Sequence, residues 1–277
     1  MSDRFLIGRS AWVTGGVTGI GRAIALALAE SGANVSIGSL LAGGALPQAA
    51  YAALPTIAAL DEAAKAIEER GVACFAAGLD LRLDEDVDRF HSAAVARLGP
   101  VDILVNAAGI SAQEEMLGHS DETWETVLDV NLNGPYRTTK RCMRSMIERR
   151  WGRIVNIAST AAAVGYPRHS AYCASKSALL GLTRCVALEG AEHGVTCNAI
   201  NPGWVATEMM RLGSERRIAQ GGPGATPAEN MALLAETMPQ KRLIPAEEVA
   251  AFVVFLCRDE ALGLTGEAIT MAGGSVW

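Results

Sequence analysis

The sequence lacks the residue patterns that mark metal centres, disulfide scaffolds and nucleic-acid-binding proteins. Its six cysteines form no Cys-x-x-Cys pair and its four histidines are scattered, so no set has the spacing of zinc ligands. The 277 residues carry a formal net charge of −6, which does not provide the basic surface that nucleic acids require. We therefore expect reduced cysteines, no bound metal and no nucleic-acid partner.

Signals for export and for membrane insertion are also missing. The N-terminal residues do not combine a basic start, an apolar middle and a small-residue cleavage site, which favours a cytoplasmic protein. Residues 31–60 carry no charge, but Pro47, Gln48 and Pro55 interrupt their apolar part. A membrane-spanning helix needs about 20 continuous apolar residues, so we expect no membrane association.

Apolar runs and helical patterns alternate along nearly the whole sequence. This alternation predicts an α/β fold of Rossmann type, a doubly wound parallel sheet of about seven strands with helices on both faces. No internal repeat or linker appears, so residues 1–277 are expected to form a single domain. The predicted strands are Ser10–Thr14, Asn34–Gly38, Ala73–Ala77, Val101–Val105, Arg153–Ile157, Val195–Ile200 and Glu267–Met271. The predicted helices are Gly19–Ser31, Asp61–Arg70, Asp84–Leu98, Asp121–Arg150 and Ala171–Glu192.

A glycine-rich turn with the sequence TGGVTGIG spans Thr14–Gly21, between the first predicted strand and the first predicted helix. Glycines let a backbone approach a pyrophosphate closely, and the helix N-terminus adds N–H donors and the positive end of its dipole. The turn therefore predicts a dinucleotide site. The alternative is a tight turn that binds nothing.

Tyr172 and Lys176 are four residues apart, and Ser159 precedes the tyrosine by thirteen residues. A spacing of four places the phenol and the ammonium one helical turn apart, and a nearby positive charge lowers the pKa of a phenol. Tyr172 is thus a candidate proton donor and acceptor for carbonyl–alcohol chemistry. The alternative is an ordinary pair on an exposed helix face.

These motifs occur in an order that resembles the short-chain dehydrogenase/reductase family over nearly the whole chain. In chain order they are the glycine turn, Asn106–Gly109, Asn131, Ser159, Tyr172 with Lys176, and Pro202-Gly203 with Thr207. The resemblance implies that Asn131, Ser159, Tyr172 and Lys176 are catalytic, with Ser159 holding the substrate oxygen and Asn131 a water. The positions that match the family's cofactor-binding residues are Gly15, Thr18, Gly19, Ile20, Ser39, Asp80, Leu81, Asn106, Ala107, Gly109, Tyr172, Lys176, Pro202, Gly203, Val205 and Thr207.

Cofactor preference depends on the end of the second strand. An acidic residue there would bind the adenosine 2′-hydroxyl and repel a 2′-phosphate, but this sequence has Ser39. Neither Leu40 nor Thr18 is basic, so the usual phosphate-binding cations are missing as well. The sequence indicates an NAD(P)(H) enzyme and favours NADP(H).

The segment around Ser159 and Tyr172 is similar to 3-oxoacyl and polyketide ketoreductases and to 3-hydroxybutyrate dehydrogenases. This likeness implies a carbonyl reductase of 3-oxoacyl type, or else an NAD-dependent dehydrogenase of a 3-hydroxy acid or polyol. A protein that senses the dinucleotide without turnover, and a scaffold subunit, are alternatives of another class. The candidate substrate residues are Ile110, Ser111, Ala161, Tyr166, His169, Trp204 and Met209.

Two segments differ from the rest of the pattern. About residues 40–60 the chain is longer than the family pattern, and this insertion is a loop over the adenosine end, a subunit contact or a tolerated surface loop. Residues 206–239 are rich in glycine and proline and are expected to form a mobile substrate lid. The arginines of this segment, Arg211, Arg216 and Arg217, are expected either to contact an acid or phosphate group of the substrate or to form a solvated helix face. The predicted helices 121–150 and 171–192 resemble those that join subunits, which implies a homotetramer, with a dimer as the alternative.

Overall fold

The structure is a computed structural model that describes residues 4–275. Its strands are β1 (Ser10–Thr14), β2 (Asn34–Ser39), β3 (Ala50–Tyr51), β4 (Cys74–Gly78), β5 (Ile103–Asn106), β6 (Ser111–Ala112), β7 (Gly152–Ile157), β8 (Val195–Pro202) and β9 (Ala268–Met271). Its α-helices are α1 (Gly19–Glu30), α2 (Ile57–Glu68), α3 (Asp84–Leu98), α4 (Asp121–Leu128), α5 (Gly134–Glu148), α6 (Ser170–Gly190), α7 (Glu208–Ala219), α8 (Pro227–Thr237) and α9 (Ala246–Leu256).

Seven of the strands form one parallel sheet in the order β4-β2-β1-β5-β7-β8-β9. This confirms the predicted Rossmann-type sheet and its seven predicted strands. The strand order reverses between β1 and β5, and a cleft opens beyond the carboxyl ends of the strands at such a point. The functional candidates gather at that edge.

Helices cover both faces of the sheet, as expected for strands that are apolar throughout. On one face, α1, α2 and α9 bury Ile24, Ile67 and Val253 against the sheet. On the other face, Phe90 of α3 and Met146 of α5 pack in a second cluster together with Trp12 of β1. Trp12 stacks on Phe90 with 5.2 Å between the ring centroids.

The predicted helix 121–150 occurs as a continuous helical segment over residues 121–148, but it contains a π-helical turn that was not predicted. The structure has α4, a π-helical turn over Asp129–Asn133 and then α5. Pro135 has no N–H to donate to the carbonyl of Asn131, so the regular α-helical hydrogen bonding is interrupted there. Short π-helical turns of this kind are frequent at functional sites, and Asn131 lies within this one.

Helix α2 begins at Ile57 rather than at the predicted Asp61. Thr56 caps it, because its side-chain oxygen accepts a hydrogen bond of 3.1 Å from the backbone N–H of Ala59. The segment 206–239 is also more regular than expected, since α7 and α8 occupy most of it, each with a capping threonine. None of the helices within residues 4–275 is long and apolar enough to cross a membrane.

The insertion is a packed part of the fold. Its strand β3 pairs with β6 in an antiparallel ladder, with Ala50 opposite Ala112 and Tyr51 opposite Ser111. Leu46 and Ala50 lie in the same apolar cluster as Ile110 and Val127 of the neighbouring segments. The insertion therefore packs against the rest of the fold through β3 and Leu46.

Candidate active site

A cleft of about 440 Å³ runs along the carboxyl edge of the sheet, from the glycine turn to the helices of the lid. It brings together residues that the sequence places far apart. Of the predicted cofactor-binding residues, those that line it are Gly15, Thr18, Gly19, Ile20, Ser39, Asp80, Leu81, Ala107, Gly109, Tyr172, Lys176, Pro202, Gly203, Val205 and Thr207. All seven candidate substrate residues also line it, namely Ile110, Ser111, Ala161, Tyr166, His169, Trp204 and Met209.

The glycine turn has the shape that a pyrophosphate requires. Gly15 and Gly19 have positive φ angles of 68° and 51°, which side chains rarely adopt. A Cβ at Gly15 would lie only 2.7 Å from the Cα of Ala108, so no larger residue fits. Helix α1 begins here without an acidic residue in its first turn and without a side-chain cap from Thr18. Its first N–H groups and its dipole are thus available to an anion, and a dinucleotide fits this end of the cleft.

At the expected adenosine end, Asp80 is held by Arg82. Arg82 Nη2 lies 2.6 Å from Asp80 Oδ2, and Arg82 Nη1 donates to the carbonyl of Ala45 at 3.0 Å. Burial raises the pKa of Asp80, but the hydrogen bonds and the charge of Arg82 outweigh it, so the pKa is lowered overall. The insertion thus reaches this end of the cleft through Ala45. Ser39, the last residue of β2, is buried, and β2 contains no acidic residue.

Asn106 is the one predicted cofactor residue whose side chain lies behind the wall of the cleft. Its Nδ2 donates to Asn156 Oδ1 at 2.8 Å, and its Oδ1 accepts from Thr138 Oγ1 at 2.7 Å. These buried bonds tie β5 to β7 and to α5. The side chain therefore holds the wall in place, while Ala107 and Gly109 form its surface.

Three of the four candidate catalytic residues come from two neighbouring segments. Ser159 follows β7, and Tyr172 and Lys176 lie one turn apart on α6. Ser159 lies close enough to Tyr172 for its hydroxyl to interact with the phenol. Lys176 is only 4% exposed; its Nζ donates to the carbonyl of Ile157 at 2.8 Å and lies 5.7 Å from the centre of the Tyr172 ring.

Asn131 lies directly behind this group. Its Oδ1 accepts from the N–H of Ile110, and its Nδ2 donates to the carbonyl of Ile110, each at 2.9 Å. The same Nδ2 donates to Ser175 Oγ at 3.1 Å. A Cβ at Gly109 would lie 3.4 Å from Asn131 Oδ1 and 3.5 Å from Lys176 Nζ, so the two polar groups approach the same glycine.

The structure corrects the expected effect of Lys176 on its neighbour. Part of Tyr172 remains open to the cleft, but burial of the phenol raises its pKa to about 12, while the hydrogen bond from Ser159 acts in the opposite direction. Burial also lowers the pKa of Lys176 to about 8. The reason is that both groups lose solvent together, and the ammonium bonds to Ile157 rather than to the phenol. Burial thus favours the neutral phenol of Tyr172.

The expected substrate end is aromatic. The Tyr166 ring lies 6.3 Å from Trp204 and 6.4 Å from His169. His169 Nδ1 lies 3.0 Å from the carbonyl of Pro167, and its Nε2 lies 3.3 Å from Gln113 Nε2. Burial is the main cause that lowers the pKa of His169, and Arg217 lowers it further, which favours the neutral imidazole.

Two further residues belong to this end: Tyr51, which was not predicted as a substrate contact, and Arg217, for which such a contact was one of two alternatives. Tyr51 of the insertion and Arg217 of the lid both line the cleft. Tyr51 is close enough for its charge to affect the pKa values of Tyr172 and Arg217. No family motif covers the insertion, so only the uncharged, aromatic character of Ala50–Tyr51 could have pointed to it. Arg217 could be noticed only as one of three lid arginines.

The three lid arginines differ in their contacts. Arg211 pairs at the surface with Glu208 and Glu215, as the solvated-face interpretation expects. Arg216 donates to the carbonyls of Gln48, Ala49 and Ala50 at 3.1–3.3 Å. It therefore binds the insertion, and the solvated-face interpretation is wrong for it. It is wrong for Arg217 as well, because that side chain lines the cleft.

Known proteins with similar sequences agree with this arrangement of residues. The family model described as short chain dehydrogenase matches residues 9–217. The chain belongs to the short-chain dehydrogenase family. It is 32% identical to the 3-oxoacyl-[acyl-carrier-protein] reductase FabG of Staphylococcus epidermidis, over 96% of this chain and 98% of that protein. It is 34% identical to the D-beta-hydroxybutyrate dehydrogenase of Cupriavidus necator, over 98% and 99% of the two chains.

Solved structures of short-chain dehydrogenases give the same picture. A substituted actinorhodin polyketide ketoreductase with NADPH has a TM-score of 0.86 and 32% identity, with 96% of each chain covered. A NAD⁺-bound xylitol dehydrogenase has a TM-score of 0.86 and 29% identity, with 98% of this chain and 100% of that chain covered. The chain is therefore a short-chain dehydrogenase that acts on CH–OH or C=O groups with a nicotinamide dinucleotide. These relatives include both NAD⁺ and NADPH users, so they do not decide the preference.

Proposed function

We propose that this short-chain dehydrogenase reduces a 3-oxo compound to the 3-hydroxy compound, with NADPH preferred over NADH. The observation that carries the proposal is that Ser159 and Tyr172 lie close together and line the cleft beside the buried ammonium of Lys176. A hydroxyl and a neutral phenol that face one point can hold and protonate a carbonyl oxygen. The likeness to a 3-oxoacyl reductase and to a polyketide ketoreductase supports the 3-oxo class.

In this mechanism Ser159 donates a hydrogen bond to the substrate carbonyl and fixes its position beside Tyr172. The nicotinamide, when bound, supplies the hydride to the carbonyl carbon. Tyr172 then gives its proton to the oxygen that becomes the hydroxyl. The raised pKa of Tyr172, caused mainly by burial, keeps this proton in place at neutral pH.

Lys176 and Asn131 would support that step. The ammonium of Lys176 is positioned by the Ile157 carbonyl and favours the phenolate that remains after proton transfer. Asn131 fixes the backbone of Ile110 on both its N–H and its carbonyl, and so holds the segment that carries Gly109 against Lys176. We assign the family's water-binding role to Asn131 within this arrangement.

The cofactor preference rests on the end of β2. A carboxylate there would repel a 2′-phosphate, and the structure has the buried hydroxyl of Ser39 instead. The remaining predicted cofactor residues would then divide between the pyrophosphate at Gly15–Ile20, the adenosine at Asp80 and Leu81, and the nicotinamide at Val205 and Thr207. All of these residues line the cleft.

Further parts of the proposal concern the whole protein. We propose one domain built on the seven-stranded sheet, and a homotetramer formed through α4, α5 and α6. The exposed Leu188 and Tyr136 on α6 and α5 support a subunit contact there. The six free cysteines support a reducing compartment, the cytoplasm.

The test is initial rates with NADPH and with NADH against a panel of 3-oxo esters, 3-oxoacyl thioesters, diketones and sugar ketones. The reverse panel of alcohols runs with NADP⁺ and NAD⁺. We expect the highest kcat/KM for a 3-oxo compound with NADPH. Faster turnover of alcohols with NAD⁺ would instead support the oxidative alternative, which the hydroxybutyrate dehydrogenase relative favours. No turnover with confirmed cofactor binding would support the sensing alternative.

A further inference from the structure

Arg217 is the charged residue of the substrate end whose position the proposed reaction does not explain. It lies on α7, lines the cleft and is half-buried. No Asp or Glu within residues 4–275 lies within ion-pair distance of it. Burial is the main cause that lowers its pKa, which means that the protein alone does not compensate its charge.

Other charged groups along the cleft do have protein partners. Asp80 pairs with Arg82, and Glu208 pairs with Arg211. Lys176 donates to a backbone carbonyl and is part of the catalytic group. Within the part of the chain that the structure describes, Arg217 is thus the guanidinium that enters the cleft without an acidic partner.

The lid holds the Arg217 guanidinium in a fixed position. Its Nη1 donates to Asn230 Oδ1 at 2.5 Å, and Asn230 is fully buried on α8, where its own Nδ2 donates to the Pro223 carbonyl at 2.6 Å. The Cζ atom of Arg217 lies 5.3 Å from the centre of the Trp204 ring. Asn230 takes one of the five N–H donors of the guanidinium, so further donors remain for a ligand. A neutral amide and an aromatic face orient the cation without neutralising it.

A polar neighbour supports the same site. Tyr51 reaches the cleft from the insertion, and its ring lies 4.8 Å from Arg216 Cζ. A Cβ at Gly213 would lie 3.4 Å from Tyr51 Oη, so the missing side chain at that position leaves room for the hydroxyl. Gly213 and Arg217 are four residues apart on α7 and therefore share one helix face. The Tyr51 hydroxyl and the Arg217 guanidinium are brought to the same side of the cleft.

We propose that Arg217 binds a carboxylate carried by the substrate, with the Tyr51 hydroxyl as a second donor, so that the substrate is an oxo acid or hydroxy acid. This inference rests on the proposed function and narrows its substrate class. A guanidinium presents paired N–H donors that match the two oxygens of a carboxylate. A phosphate carries up to two charges and needs more cations than this end of the cleft offers. A neutral ketone bound in the cleft would leave the charge of Arg217 uncompensated.

The test compares 2-, 3- and 4-oxo acids with their methyl esters as substrates of the wild type, Arg217→Met and Lys65→Met. Each pair shares its carbonyl and differs in the charge that Arg217 would bind. Lys65→Met removes one positive charge from an exposed position of α2 that does not line the cleft. It controls for the overall loss of charge.

We expect the wild type and Lys65→Met to prefer the acid of at least one pair over its ester. Hydrogen bonds to charged groups contribute about 1.5–3 kcal/mol, so kcat/KM of Arg217→Met for that acid should fall about 10- to 150-fold. The loss should lie mainly in KM, because the carboxylate contact exists before and during the reaction. The ester should lose much less. An equal loss for acid and ester, or a wild type that prefers esters throughout, would overturn the proposal.

A binding measurement separates this inference from the proposed function. Trp204 lies beside Arg217, so its fluorescence reports a ligand there, and Trp204→Phe identifies its share of the signal. We expect 3-hydroxy acids to change this signal in the wild type and not in Arg217→Met, and the methyl esters to bind more weakly. Such binding without turnover would refute the proposed reaction but support the proposed carboxylate site at Arg217. Turnover of neutral ketones without binding of acids would refute the subsite and keep the reaction.

Discussion

Replacing Arg216 by methionine should release the insertion from the lid. Arg216 makes three hydrogen bonds to consecutive carbonyls of Gln48, Ala49 and Ala50, and its guanidinium lies 4.8 Å from the centre of the Tyr51 ring. The bonds are long, so we assign each about 0.5 kcal/mol, at the low end for hydrogen bonds in proteins. A partly exposed cation–π contact adds about 0.5 kcal/mol. The expected loss is about 2 kcal/mol.

This loss should appear as local opening rather than global unfolding, because β3 pairs only two residues with β6. A loss of about 2 kcal/mol raises the opening equilibrium about 30-fold. We therefore expect amide hydrogen exchange of residues 46–54 to become about 30-fold faster in Arg216→Met. Exchange in the strands of the large sheet should stay unchanged.

Arg211→Met is the matched control, since Arg211 lies on the same helix and contacts only Glu208 and Glu215 in its ion pairs. It should leave exchange in residues 46–54 as in the wild type. Unchanged exchange in Arg216→Met would show that the bonds to the carbonyls contribute nothing to holding the insertion. Equal acceleration in both variants would show that the stability of α7, and not the Arg216 contacts, holds it.

Three further predictions concern the cleft. Tyr172→Phe should lower kcat by at least about 100-fold in steady-state assays while cofactor affinity stays near that of the wild type, since only the proton donor is removed; a near-normal rate would refute the assignment. Ser39→Asp should lower the ratio of kcat/KM for NADPH over NADH by at least about tenfold, because a carboxylate repels the 2′-phosphate; an unchanged ratio would place the 2′-position elsewhere. Burial lowers the pKa of Lys176 from 10.5 to about 8, so between these values the unfolded chain binds more protons and this group makes stability rise with pH. From pH 8 to pH 10, the free energy of unfolding measured with urea should change in the stabilising direction by more in the wild type than in Lys176→Met. The same change in both proteins would refute this contribution of Lys176.

Much of the fold follows from the sequence because two local signals agree with the tertiary structure. Apolar runs predict strands that are buried on both faces, and all seven predicted strands occur in the sheet. The glycine turn is predicted with its conformation, since the positive φ angles at Gly15 and Gly19 are what glycine permits. Such signals are contained in a few neighbouring residues.

Other features depend on contacts that no local pattern contains. The π-helical turn around Asn131 arises where Asn131 bonds to the backbone of Ile110, 21 residues earlier in the chain. The pKa of Tyr172 depends on how deeply the folded chain buries the phenol, and the spacing to Lys176 does not contain that information. Burial opposes the charged form of both groups, so it reverses the effect expected from the spacing alone.

The adjacent arginines of α7 show why the substrate is the hardest feature to predict. Successive residues of a helix are rotated by about 100°, so Arg216 and Arg217 point in different directions from one segment. Arg216 meets the carbonyls of the insertion, and Arg217 meets Trp204 and the cleft. Neither contact belongs to a family motif, and the hydrogen bonds of Arg216 join a lid and an insertion that lie more than 150 residues apart. The residues that we propose to decide the substrate of this short-chain dehydrogenase therefore lie in the segments where a likeness to relatives of known activity carries the least information.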